Sequence, residues 1–202
     1  MNTNNKLPTK AVLPAALLFI SYAVLVIFLT ASLRDLNVLL TLILGVTLLI
    51  LRGPHVVLTV ILGAQTVLTL YDLIFDLNQA VIFRLTAHPL TVLGLVSVIF
   101  ASAAYIFVFV TSILSLRGKG APLERYWFIP GILHSVSAVC GFISSFSIYY
   151  FAGVINLVTK QDMLESEVLY VVFADFGFNI ILTAALALLC RLLTMRRGET
   201  EL

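Results

Sequence analysis

Long uncharged apolar stretches, separated by short charged segments, dominate this chain. The longest of them cover residues 11–33, 85–116 and 126–159. A helix of about 20 residues crosses the hydrocarbon core of a bilayer, because each residue adds ~1.5 Å to its length. An ionised side chain at the centre of such a helix costs roughly 2.5–3.5 kcal/mol. The uncharged stretches therefore predict membrane-spanning α-helices.

Charged residues and prolines divide the chain into six predicted spans. Pro89 suits the first turn of a helix, so it marks the start of the fourth span. The second span has only 16 uncharged residues, ~24 Å as a helix, so its flanking charges must reach the interfaces or the bilayer must thin. The first run exceeds the ~7–15 apolar residues of a signal peptide, which favours an uncleaved helix. The predicted spans are residues 11–33, 36–51, 55–75, 90–116, 127–151 and 168–190.

These spans form one predicted domain, residues 11–195, between a short segment, 1–10, and a polar tail, 196–202. Residues of the AVILMFWYC set make up 61% of the chain and charged residues 11%, with a mean hydropathy of +1.11. Soluble domains reach only ~45–50% apolar residues and carry ~25% charged ones, so the excess must face lipid. This composition excludes an ordinary cytosolic enzyme, a disordered chain and a disulfide-stapled secreted domain. It predicts an all-α integral membrane protein, a bundle of six transmembrane helices.

The distribution of charge predicts the orientation of this bundle. Six spans place both termini on one side, where nine of the 12 basic residues then lie, against three on the other side (Arg34, Arg84 and Lys160). Lysine and arginine collect in cytoplasmic loops, so both termini are predicted to be cytoplasmic. A bacterial cytoplasmic membrane is the default assignment for such a multi-pass protein. The chain has no basic block that could follow a phosphate backbone, so nucleic acid is not an expected partner.

One face of the third predicted helix is polar. Gln65, Thr69, Asp72 and Asp76 are spaced i, i+4, i+7 and i+11, which places them on the same side of a helix. Such a face cannot contact acyl chains without a penalty, so it must face the bundle or water. Two interpretations follow. Either the aspartates reach the outer interface while Gln65 makes an interhelical hydrogen bond, or the face lines an outward-open pocket for a cationic or polar solute.

A second polar group is predicted on the fifth and sixth helices. Asp175 lies inside the sixth span, with Asn179 one turn deeper on the same face. An aspartate at this depth is either protonated or paired. Asn179, His134 and a serine of the fifth helix are the candidate partners, and a functional role in solute binding or coupling is the alternative. A Ser137, His134 and Asp175 triad is conceivable, but the three are poorly levelled and no nucleophile-elbow sequence surrounds the serine.

Small residues recur on the fourth and fifth predicted helices. In lipid, small side chains allow close helix packing, which is the simpler interpretation. The alternative is that the serines among them line a cavity together with the polar residues of the third and sixth helices. The residues concerned are Ser97, Ala101, Gly131, Ser135, Ser137, Gly141 and Ser145.

The sequence predicts neither a cofactor nor a metal site. No H-E-x-x-H, P-loop or G-x-G-x-x-G motif occurs, and the three histidines lie at unmatched depths. The two cysteines, Cys140 and Cys190, are predicted at different membrane depths, too far apart for a disulfide. No catalytic residue is predicted either.

Three functions remain open from the sequence. The first is a small-solute transporter or membrane-embedded capture subunit, whose pocket would use Gln65, Thr69, Asp72, Asp76, His134, Ser137, Asp175 and Asn179. The second is a non-catalytic subunit of a larger membrane complex, in which other membrane subunits would be the partners. The third is an intramembrane hydrolase, which rests on the poorly levelled serine, histidine and aspartate alone. The lipid bilayer is an expected partner in all three.

Overall fold

The protein consists of helices throughout its described part, residues 9–30, 36–52, 55–82, 89–159 and 165–195 of the computed structural model. No strand occurs in these ranges, so the predicted all-α class is confirmed. Most of the predicted N-terminal segment and the tail 196–202 lie outside them. The elements are α1 (Thr9–Thr30), α2 (Leu36–Leu51), α3 (Val56–Ile82), α4 (Pro89–Leu116), a 3-10 helix (Ala121–Tyr126), α5 (Ile129–Thr159) and α6 (Glu165–Thr194).

Five of the six α-helices are long and apolar enough to cross a membrane. The remaining helix, α2, is also apolar but has only 16 residues, so it is shorter than these five. The helix α3 runs on to Ile82, seven residues beyond the predicted end of its span, because a helix can continue into the interface after it leaves hydrocarbon. Large apolar side chains such as Phe28, Ile50 and Val60 lie exposed on the outer faces, as contact with lipid acyl chains requires.

The ends of α2 and α4 show how the chain turns between helices. Arg52 follows α2 with φ of 51°, and its backbone N–H donates to the carbonyl of Leu48. Gly118 follows α4 with φ of 70°, which glycine adopts without steric cost. The N–H of Gly118 donates to the carbonyl of Ser115, and that of Lys119 to the carbonyl of Leu114. These two bonds form a Schellman motif, so α4 stops where the cationic loop begins.

The helices pack as a closed ring in chain order. Each helix contacts the next one along the chain, α6 returns to contact α1, and α4 also contacts α6. The helices α3 and α4 run antiparallel, because Thr59 lies against Ser112 while Thr69, further along α3, lies against Ser102, which is earlier on α4. The contacts of Ser97 with Ser137 and of Leu90 with Ser144 show the same for α4 and α5. Val12 near the start of α1 and Leu193 near the end of α6 share one apolar cluster, so these two helix termini lie at the same end of the bundle.

The apolar core fills only one end of the ring, which we call the closed end. Its apolar cluster comes from the first halves of α1 and α3 and the second halves of α2, α4 and α6. On α3 and α4 the opposite, open end is less tightly packed, because no described residue of α3 after Thr66 or of α4 before Ser102 is buried. The largest fully buried apolar side chains of the core include Phe19, Leu44, Leu48, Leu58, Leu62, Leu186 and Leu189.

The short helix α2 decides how many times the chain crosses the membrane, and we expect it to cross. If it does, Lys10 in the first turn of α1 and Arg52 after α2 lie on the same face of the membrane. Single cysteines at these positions, Lys10→Cys and Arg52→Cys, in a Cys140→Ala/Cys190→Ala background, should then react with an impermeant maleimide from the same side. Gln79→Cys near the end of α3 should react from the opposite side. Labelling of Lys10→Cys and Arg52→Cys from opposite sides would leave five crossings.

Candidate functional site

A cavity of about 400 Å³ lies between α3 and α4 in the open half of the bundle. Ligand sites in proteins have volumes of roughly 300–1,000 Å³, so this cavity is large enough for a small solute. Among the described residues, its lining combines two carboxylates, two hydroxyls and three apolar side chains, with no basic residue. The lining residues are Thr69, Asp72, Phe75 and Asp76 of α3 and Ser97, Val98 and Ala101 of α4.

The polar stripe of α3 runs from the buried interior into the open half of the bundle, where Thr69 and Asp76 are partly buried and Asp72 is exposed. Gln65 and Leu62 lie on this face and are almost completely buried. The base of the cavity is held by hydrogen bonds between α3 and α4: the Ser102 hydroxyl donates to the carbonyl of Thr69 at 3.2 Å. One turn below, the Thr66 hydroxyl contacts the carbonyl of Tyr105 at 3.4 Å. Above this level the two helices leave the space that Asp72 and Asp76 line.

The α4 wall of the cavity is attached to α5 through Ser97. Its hydroxyl donates to the carbonyl of Ser137 at 2.8 Å and lies 3.2 Å from the Ser137 hydroxyl. The close approach of the two helices depends on Gly141, because a Cβ there would lie 2.9 Å from Ser97 Oγ. Ser97 therefore belongs both to the cavity and to the α4–α5 interface.

Gln65 turns toward α2 instead of the cavity. Its Nε2 donates to the Thr41 hydroxyl at 2.9 Å, and that hydroxyl donates to the carbonyl of Asn37 at 2.8 Å. This is the interhelical hydrogen bond that one of the two sequence interpretations expects. Gln65 Oε1 is buried and has no hydrogen-bond partner among the described residues, although buried polar atoms are almost always paired.

A second polar group connects α5 and α6. His134 on α5 is only 3% exposed, and its Nδ1 lies 2.9 Å from the Thr183 hydroxyl on α6. Thr183 Oγ1 donates to the carbonyl of Asn179 at 2.8 Å. Asn179 Nδ2 in turn donates to the carbonyl of Asp175 at 2.9 Å and to its carboxylate at 3.3 Å. We call this set, Asp175, Asn179, Thr183 and His134, the α6 ladder.

The structure divides the eight predicted site residues between three places. Thr69, Asp72 and Asp76 line the cavity, and Ser137 lies directly behind its α4 wall. Gln65 lies in the α2–α3 interface. The remaining three residues, His134, Asp175 and Asn179, belong to the α6 ladder.

Three residues of the α6 ladder and the cavity lining were not predicted from the sequence: Thr183, Phe75 and Val98. Thr183 continues the stripe of Asp175 and Asn179 at i+8, so the helical period alone could have identified it. Phe75 and Val98 carry no such signal, because an apolar residue that faces a cavity cannot be distinguished from one that faces lipid. Their place in the lining depends on the rotation of α3 and α4 about their axes.

The residues of the conceivable hydrolase triad are separated. His134 Nδ1 is bonded to Thr183, Ser137 is bonded to Ser97, and the Asp175 carboxylate is bonded to Asn179. A triad requires the histidine to bridge the serine and the carboxylate. In the described part of the chain, no group of three or more histidine, cysteine, aspartate or glutamate side chains could hold a metal ion. Both cysteines are free thiols.

Comparison with known proteins adds no family to this description. No known family model matches the chain, and no curated protein or solved structure resembles it significantly.

Proposed function

We propose that this protein is a membrane-embedded binding or transport protein for a small cationic solute, and that the cavity between α3 and α4 is its solute site. The observation that carries the proposal is the lining itself: Asp72 and Asp76 line a mid-sized cavity to which the described residues contribute no basic side chain. Two carboxylates are costly in a membrane interior unless a positive charge or water compensates them. A bound cation supplies that compensation.

The rest of the lining suits an organic cation with a polar group. The hydroxyls of Thr69 and Ser97 can exchange hydrogen bonds with a solute hydroxyl or ammonium group, while Phe75, Val98 and Ala101 can contact its carbon atoms. An aromatic ring also attracts a cation that lies over its face. Asp72 and Asp76 are one helical turn apart, about 6 Å along the axis, so one positive group can interact with both.

The open end is proposed to face the outside of a cell membrane. The proposal has the chain crossing six times with both termini in the cytoplasm. Support comes from the closed end, where Glu124 is the one acidic residue in the described loop between α4 and α5 and basic side chains predominate. Arg191 also lies over the Trp127 ring, 5.5 Å from its centre, as is usual at a membrane interface. The exposed basic residues of the closed end are Lys10, Arg52, Arg117, Lys119, Arg125 and Arg191.

Solute binding to the purified protein in lipid nanodiscs tests this proposal. The panel is choline, ethanolamine, glycerol and sodium ion, and the measurements are the shift in melting temperature and the dissociation constant. We expect the organic cations to bind and Asp72→Asn to weaken them about 10- to 100-fold, because a hydrogen bond to a charged group contributes about 1.5–3 kcal/mol. Glu124→Gln makes the same chemical change outside the cavity and should leave binding unchanged.

Two results would contradict the proposal. One is a panel in which no solute shifts the melting temperature of the folded protein. The other is binding of equal strength in wild type and in a folded Asp72→Asn/Asp76→Asn double variant, which would place the solute elsewhere.

A further inference from the structure

The hydrogen bonds of the α6 ladder determine which nitrogen of His134 carries the proton. A threonine hydroxyl has one proton, and that of Thr183 is donated to the carbonyl of Asn179. The bond between Thr183 Oγ1 and His134 Nδ1 therefore needs its proton from the imidazole. Nδ1 is the donor, and Nε2 keeps a free lone pair in the neutral ring. His134 is thus held as a base inside the bundle.

Polar groups lie on two sides of His134. On one side the ladder reaches Asp175, which is exposed in the open half. On the other side, Ser137 follows His134 by three residues on α5 and is bonded to Ser97, which lines the cavity. His134 therefore lies on α5 one helical turn from Ser137, between the hydrogen-bonded α6 ladder and the wall of the proposed solute site.

We infer that His134 is a proton-binding site coupled to the solute cavity, so that the protein exchanges a proton for its cationic solute. This inference rests on the proposed function, because it names the counter-ion of the same cavity. The step is the binding of a proton to Nε2: an N–H bond forms, the neutral ring becomes imidazolium, and the proton comes from water at the open end. No electron transfer is involved.

The physical basis of the exchange is the cost of two positive charges in one low-dielectric region. The helices packed against α5 are α4 and α6. Of their titratable groups, Tyr105 on α4 lies edge-on to His134 with ring centres 6.5 Å apart, and Asp175 on α6 is reached through Asn179. No basic side chain of the described residues contacts His134. An imidazolium here therefore depends on Asp175 and on the cavity carboxylates Asp72 and Asp76, which a bound cation would neutralise.

A charge on this buried ring is costly unless water or a carboxylate reaches it. The Nδ1–H donor is present in both forms of the ring, so a proton at Nε2 leaves the bond to Thr183 in place.

Histidine ¹⁵N NMR of the protein in nanodiscs tests the inference. The chain has three histidines, and the loss of one signal in His134→Gln identifies the residue. We expect a neutral Nδ1–H ring at alkaline pH that takes up a proton as the pH is lowered. Thr183→Val should abolish the tautomer preference in a folded protein. Choline is the probe solute, because its quaternary nitrogen carries no titratable proton.

Saturating choline should lower the titration midpoint of His134 by at least about 0.7 pH units, a fivefold effect, since coupling between sites typically reaches 5- to 150-fold. By reciprocity, protonation should weaken choline binding by the same factor. Asp72→Asn should lower the midpoint without any solute, because it removes a negative charge that favours imidazolium.

The outcomes separate this inference from the proposed function. A ring that stays neutral over the whole pH range overturns the proton site, whatever the cavity binds. If choline binds and the midpoint moves neither with choline nor in Asp72→Asn, the coupling is wrong and the solute site remains. If no solute of the panel binds, the proposed function fails, and an unchanged midpoint in Asp72→Asn then overturns the coupling as well.

Discussion

Replacing Gly45 with valine should prevent α1 and α2 from packing as they do and should lower the melting temperature by the largest amount of any single change considered. A Cβ at this position would lie 2.8 Å from Ile20 Cγ1, 3.1 Å from Phe19 Cβ and 3.1 Å from the backbone oxygen of Ala16. The side chain of Ile20 can move, whereas the backbone of α1 cannot move without shifting the buried Phe19. The helices must separate.

The expected cost of Gly45→Val is at least the ~1–3 kcal/mol typical of an overpacked core. Gly177→Val is the matched control, because a Cβ at Gly177 of α6 meets nothing within 4 Å. Thermal unfolding in nanodiscs, followed by size-exclusion chromatography, compares the two variants. Equal melting temperatures would show that α1 and α2 are not in close contact and that the ring is not closed as described.

Replacing Gly141 with alanine should damage both the α4–α5 interface and the solute cavity. The new Cβ would lie 2.9 Å from Ser97 Oγ, so the Ser97 hydroxyl must rotate away. That movement breaks its contacts with the carbonyl and hydroxyl of Ser137. Each hydrogen bond contributes a net ~0.5–1.5 kcal/mol, so the variant should lose about 1–3 kcal/mol of stability. Because Ser97 lines the cavity, solute affinity should fall with it.

Gly94→Ala tests whether this effect is specific to Ser97. Gly94 lies in the same interface, but its Cβ would lie 3.6 Å from Ser144 Oγ, which is an ordinary contact. This control should keep its stability or gain up to about 1 kcal/mol from the higher helix propensity of alanine. The measurements are the melting temperature and the choline affinity of both variants. A Gly141→Ala variant that matches Gly94→Ala in both would contradict the role assigned to Ser97.

Only part of the arrangement of the polar stripe of α3 could be predicted from the sequence. The period of Gln65, Thr69, Asp72 and Asp76 predicted one polar face directed toward the bundle or water, because a polar residue that faces lipid carries a penalty. It did not indicate that the stripe divides, with Gln65 bonded to α2 and the other three lining a space beside α4. That division depends on where Thr41 and Ser97 lie on other helices.

The hydrogen-bond partner of His134 could not be predicted from the sequence either. Asp175 and Ser137 were only candidate partners of His134, and in the structure its Nδ1 lies beside the Thr183 hydroxyl. From the rise per residue alone, His134 lies near the start of the fifth span. The bond between Ser137 and Ser97 instead aligns this part of α5 with residues about eight positions into α4. The loop between α4 and α5, with its 3-10 helix, sets that offset, and loop geometry does not follow from apolar periodicity.

The sequence by itself determined the membrane class, the helical fold and the approximate limits of the apolar helices. It could do so because the cost of placing a charge in hydrocarbon belongs to each residue and does not depend on its neighbours. Only the tertiary structure decided which polar residues meet, because the rotation and axial offset of each helix are set by side-chain contacts with the next. At Gly45 and Gly141, the absence of a Cβ lets the neighbouring helix approach closely enough for those contacts.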